Sequence, residues 1–116
     1  MPTTLDALRD QLRQFASARD WEQFHSPKNL AMALAVEAAE LVENFQWLTE
    51  EQSRSLPPET LRATREEIAD VFLYLIRISD QLGIDPIAAA EEKMIANEKK
   101  YPVDKARGTA KKYTEL

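Results

Sequence analysis

Apolar positions recur along most of this chain at helical rather than strand spacing. Leu5, Leu8, Leu12 and Phe15 follow Thr3 and Thr4. They predict a first helix capped by one of the two threonines and ending near Arg19. A connector, Asp20 to Ser26, separates it from a second helix. Ser26 followed by Pro27 is an N-cap with proline at the first helical position, and the helical pattern continues to about Leu48. Thr49 to Leu56 reads as loop with at most one helical turn. Beyond Pro57-Pro58 a third helix runs to Leu82 and stops at Gly83, a glycine suited to the left-handed C′ position. Asp85-Pro86 repeats the cap-plus-proline signal, and the fourth helix is closed by Pro102. Four helices with short connections predict an all-α fold, a four-helix bundle unit.

Two of these helices are apolar over more than one face. Met32, Leu34, Val36, Leu41, Val42 and Phe45 do not fit one stripe of the second helix. Ile68, Val71, Phe72, Leu75, Ile76 and Ile78 do not fit one stripe of the third. Helices of this kind are buried on several sides. In a chain of 116 residues that predicts burial against further copies, a homo-oligomer.

Set into the same apolar sequence are two pairs of carboxylates, Glu37 with Glu40 and Glu67 with Asp70. Residues three apart lie about 60° apart around a helix axis, so each pair points one way. Continued along their faces, the pairs become the stripes Glu37, Glu40, Asn44, Trp47 and Glu67, Asp70, Tyr74, Arg77. Burying several carboxylates without a compensating cation is costly. The spacing therefore predicts that the two stripes face each other around a hard divalent ion, Mg²⁺ or Mn²⁺, which takes oxygen ligands and shares them with substrate phosphates. A di-iron site normally requires a histidine three residues after a ligating glutamate, and these helices have none.

Composition narrows the choices. There is no cysteine, which excludes disulfides and thiolate metal sites and fits a reducing cytoplasm. A formal net charge of -5 argues against general nucleic-acid binding. The amino-terminal residues show no signal segment and no apolar run reaches membrane-spanning length, so a cytoplasmic protein without a membrane partner is expected. Basic residues gather late, at Lys99, Lys100, Lys105, Arg107, Lys111 and Lys112. His25, the single histidine, sits in the first connector between Trp21 and the second helix. Trp21 and Trp47 offer flat apolar surfaces of the kind that stack on a nucleobase. Lys93, Asn97 and Lys100 share a face of the fourth helix, with Tyr101 following.

Together these blocks resemble the all-α nucleoside triphosphate pyrophosphohydrolases, the MazG-like superfamily, and within it the dCTP pyrophosphatase branch. The resemblance rests on Arg19-Asp-Trp-Glu-Gln-Phe-His25, Pro27-Lys-Asn-Leu30, Glu37-x-x-Glu40, Phe45-Gln-Trp47, Glu66-Glu-Ile-Ala-Asp-Val71, Lys99-Lys-Tyr-Pro102 and Lys112-Tyr-Thr-Glu-Leu116, and spans nearly the whole chain. It implies a pyrophosphohydrolase domain over residues 1–103 with a basic tail over 104–116, assembled as a tetramer. It implies Mg²⁺ on Glu37, Glu40, Glu67 and Asp70; for the catalytic carboxylates the chemistry of metal-assisted hydrolysis then makes Glu37 the first choice of general base and Glu66 a supplementary ligand. Trp21, His25 and Trp47 would line a base pocket. Asn97 and Tyr101 would contact base or sugar, and Lys93 and Lys100 would meet phosphates. The implied reaction is hydrolysis of a deoxynucleoside triphosphate, dCTP or a 5-modified dCTP, to the monophosphate and pyrophosphate, a nucleotide-pool sanitation activity. The alternatives are a broad-specificity house-cleaning NTP pyrophosphohydrolase and a non-catalytic helical oligomerisation module.

Overall fold

The computed structural model describes residues 4–116. Those residues form helices α1 (Leu5–Ala18), α2 (Pro27–Glu43), α3 (Glu50–Ser53), α4 (Pro58–Gln81), α5 (Pro86–Lys100) and α6 (Val103–Ala106), with 3₁₀ turns at Glu22–Phe24 and Tyr113–Glu115, and no strand. The predicted caps are in place. Thr4 accepts from the Ala7 N–H at 3.0 Å and Ser26 from the Asn29 N–H at 3.1 Å. Asp85 accepts from the N–H groups of Ile87 and Ala88. Thr3, the other expected cap, lies outside the described residues. Gly83 has φ +68° after the last turn of α4, as a C′ glycine should.

One expectation changes. The second helix stops at Glu43 rather than near Leu48, because the chain tightens there into shorter-range bonds. The Asn44 and Phe45 N–H groups donate to Leu41 and Val42, and Leu48 donates to Phe45. The segment 49–56, read as loop with at most one helical turn, holds the single turn α3, secured by a capping box in which Thr49 and Gln52 satisfy each other's backbone N–H.

The chain divides into two compact units, residues 1–83 and 84–116. In the first, α2 packs along α4 and α1 packs against α4. α1 leaves in a Schellman turn: the Trp21 N–H reaches the Ala16 carbonyl at 2.9 Å and Asp20 adopts φ +55° at the position glycine usually takes. That turn aims the connector carrying Trp21 and His25 back toward α4. In the second unit the basic segment has structure of its own. Tyr113 packs edge-on against Tyr101 with ring centroids 5.9 Å apart, and Lys100 Nζ lies 4.9 Å from the Tyr113 ring.

The core of the single chain is small. Ala16, Leu30 and Ile76 are the buried apolar residues among those described, whereas Met32, Val36 and Val42 on α2 and Leu61, Ile68 and Phe72 on α4 remain about half exposed.

Candidate active site

Packing of α2 along α4 brings three of the four signature carboxylates together. One oxygen each from Glu37, Glu67 and Asp70 lie within 4.8 Å of one another. Glu37 Oε2 and Glu67 Oε2 are buried and have no hydrogen-bond donor among the described residues. Protonation is the response of such a cluster when no cation is present. Glu37 is pushed up to about 7, by burial first and then by hydrogen bonding to Glu40 and Glu67. Glu67 is also raised, again by burial first, while its bond from Glu37 works the other way. Two buried acceptor atoms with no donor, inside a ring of carboxylates, are what a hard divalent cation would satisfy, and the donor set fits one.

Glu40 stands beside this trio, near enough to hydrogen-bond Glu37, but its oxygens are not within the 4.8 Å set. Glu66 departs from its expected place: it is exposed and outside the cluster. Adjacent residues on a helix diverge by about 100°, so Glu66 cannot follow Glu67 inward. Asn44, next along the α2 stripe, buries its Nδ2 without an acceptor among the described residues.

The stripe on α4 continues from Asp70 into an apolar cavity of about 170 Å³. Leu12, Phe15 and Ala16 of α1, Trp21 and His25 of the connector, and Asp70, Leu73, Tyr74 and Arg77 of α4 line it. Trp21 meets Phe15 and His25 edge-on, at centroid distances of 5.6 and 6.2 Å. His25 Nδ1 accepts from Arg77 Nε at 3.1 Å, and Arg77, 6% exposed, also faces Asp80 at 3.6 Å. Asp80 is held in turn by Arg13, whose Nε donates to it at 2.6 Å. Burial first and then the Arg77 charge push His25 below its ordinary pKa, against a smaller opposite pull from Glu22.

Of the expected base-pocket residues, Trp21 and His25 meet in this cavity and Trp47 does not. Trp47 lies in the turn after α2 and is 87% exposed. Lys93, Asn97 and Lys100 lie on α5 and Tyr101 caps it, all in the second unit. Tyr74 and Arg77 were visible in the sequence as members of the acidic stripe. Their helical spacing from Asp70 is the signal that places them at the site. Leu12 and Phe15 carried no signal beyond apolar periodicity.

The chain is similar to known proteins. The chain is 44% identical over 115 residues to the dCTP pyrophosphatase 1 of Mus musculus, covering 97% of this chain and 68% of that one. It is 41% identical to the human dCTP pyrophosphatase 1 over the same shares. The crystal structure of a pyrophosphatase from Archaeoglobus fulgidus superposes with a TM-score of 0.81 at 40% identity, covering 88% of this chain and 95% of that one. The MazG-like family profile matches residues 32–116, which include all four signature carboxylates. The chain belongs to the MazG-like family.

Proposed function

We propose that this protein is a divalent-metal-dependent nucleotide pyrophosphohydrolase that converts a deoxynucleoside triphosphate, dCTP or a 5-modified dCTP, to the monophosphate and pyrophosphate. The observation that carries the reading is Asp70. It belongs to the carboxylate cluster and also lines the aromatic cavity, so one ligand can present phosphates to the first and a base to the second. The similarity to dCTP pyrophosphatases supports the substrate class.

In this reading Glu37, Glu67 and Asp70 hold Mg²⁺, with Glu40 alongside. Bound there, the ion would neutralise triphosphate charge and lower the pKa of a coordinated water. Glu37 is the general base in this reading; in metal-free protein its pKa is pushed up to about 7, by burial first and then by the neighbouring carboxylates. Trp21 supplies a stacking face and His25 a polar contact in a cavity lined mainly by apolar and aromatic side chains. The lining excludes water from the base and leaves orientation to few polar groups. Lys93, Asn97, Lys100 and Tyr101 complete the proposed substrate-binding set, on the strength of the sequence blocks they belong to.

The half-exposed apolar side chains along α2 and α4 support a homo-oligomer, a tetramer in this reading, since large apolar patches left in water mark surfaces that associate. Trp47 would be covered only on assembly. The decisive assay is a panel of dNTPs and NTPs with Mg²⁺, scored separately for pyrophosphate and phosphate. Pyrophosphate release with preference for dCTP supports the proposal. Equal turnover of all bases establishes the broad-specificity alternative, phosphate as first product rejects the reaction, and no turnover favours the oligomerisation module.

A further inference from the structure

His25 lines the cavity, and its Nδ1 faces the Nε–H of Arg77 at 3.1 Å. A guanidinium has five N–H donors and no acceptor, and it keeps its proton at any ordinary pH. The ring nitrogen facing it must therefore be an unprotonated acceptor. That excludes the imidazolium form and the Nδ1–H tautomer while the contact is made, and leaves the single ring proton on Nε2. Among the described residues no group accepts from Nε2, and it is not among the buried atoms without a partner. Arg77 in turn cannot drift: it is 6% exposed and its guanidinium faces Asp80, which Arg13 grips from α1.

We propose that Arg77 is a positioning residue that locks His25 as the neutral Nε2–H tautomer, so that the cavity offers a fixed hydrogen-bond donor to an acceptor on the ring of its ligand. The inference deepens the proposed function and rests on it only for the identity of that ring. An unprotonated ring nitrogen or a ring carbonyl satisfies the donor, whereas a ring N–H in the same place would leave two donors facing each other. The donor thus contributes to choosing among bases, which the aromatic faces cannot do because every base has a stackable face. The charged groups around His25 are Arg77 and Asp70 from α4, Glu22 from the connector, and Asp80 through Arg77. The two nearest influences, burial and Arg77, both disfavour a second proton on the ring.

Because the chain has one histidine, its two ring nitrogens can be read in ¹⁵N-labelled free protein without ambiguity. Long-range ¹H–¹⁵N spectra at pH 7 are expected to show Nδ1 unprotonated and Nε2 protonated. In Arg77→Met the tautomers should mix and the ring should take a second proton at higher pH than in the wild type. In Arg77→Lys, which keeps a charge and can still donate, the wild-type pattern should partly return. With dCTP, Arg77→Met should raise KM at least about tenfold while kcat changes less than about threefold, because the positioned donor binds the ring and not the reacting phosphate. An Nδ1–H tautomer in the wild type, or the same spectrum in wild type and Arg77→Met, overturns the proposal. An Nδ1–H spectrum in the wild type overturns it even if a variant fails to fold, and Arg77→Lys supplies the contrast if Arg77→Met does not fold. Failure of the substrate reading shows instead in the turnover panel, with the spectral signature intact.

Discussion

Two stretches of α4, about three turns apart, treat buried charge in opposite ways. At Glu67 and Asp70 carboxylates gather with Glu37 of α2, and two of their oxygens are buried with no donor. At Arg77 and Asp80 the charges complete one another: Arg77 with His25 and Asp80, and Asp80 with Arg13. The first stretch is stable only if it stays protonated or gains a cation. The second is satisfied within the chain and holds α1, the connector and α4 together. Where a fold leaves charge incomplete, a ligand has work to do there. Where it completes the charge, the residues serve as scaffold.

Substitution at the two stretches should therefore give opposite phenotypes. The largest effect is expected at the acidic one. Asp70→Asn and Glu67→Gln should each lower pyrophosphate release more than ~100-fold, because a ligand to the ion is lost. Their metal-free melting midpoints should equal or exceed the wild type's, since like-charge crowding is relieved. Inactivity caused by unfolding would break the contrast. At the satisfied stretch, Asp80→Asn should cost about 2 kcal/mol of stability, less than a fully buried pair because Arg13 is half exposed. Its Mg²⁺ response should persist. Chemical denaturation with and without Mg²⁺ measures both.

The pH dependence sharpens the same comparison. In metal-free protein Glu37 keeps its proton up to about 7, above the 4.5 of an ordinary glutamate. The native state therefore binds more protons than the unfolded state between these values. The stabilisation from this group is full below about 4.5 and is lost as pH rises through about 7. Melting scans from pH 5 to about 8 should show this decline, and Glu37→Gln should flatten it. Asp80, held low by hydrogen bonding to Arg13 and then by the neighbouring arginine charges, works in the opposite sense. Its contribution is present above the ordinary carboxylate range and is lost as pH falls through its depressed value. The smallest effect is expected at the turn that delivers Trp21 and His25. Asp20→Val should cost about 1 kcal/mol, because a β-branched residue tolerates φ +55° poorly where aspartate accepts it.

Much of this was legible from local rules. Thr4, Ser26 and Asp85 announce helix starts by short-range hydrogen bonds, and Gly83 announces a stop by its freedom at positive φ. Glu37, Glu67 and Asp70 were legible as a site because helical spacing aligns each pair and because their apolar neighbours exclude a solvated face. The end of α2 was not, since Asn44 to Leu48 contains neither proline nor glycine and the helix yields only to competing turns. Nor was the partnership of Arg77 with His25. It spans 52 residues and depends on the crossing of the connector over α4, which no local pattern encodes. Trp47, expected as a pocket wall from its place on the α2 stripe, lies beyond the end of α2 and is exposed in the single chain.

The most direct test of the metal site at the centre of this account is a Mg²⁺ series of thermal melts, at pH about 8, on wild type and Asp70→Asn. An ion that binds only the native state raises the midpoint as its concentration rises. The wild-type midpoint should climb steadily with Mg²⁺ and that of Asp70→Asn should stay nearly flat. Equal climbs in the two proteins, or no climb in either, would contradict the assignment of Glu37, Glu67 and Asp70 as the metal site.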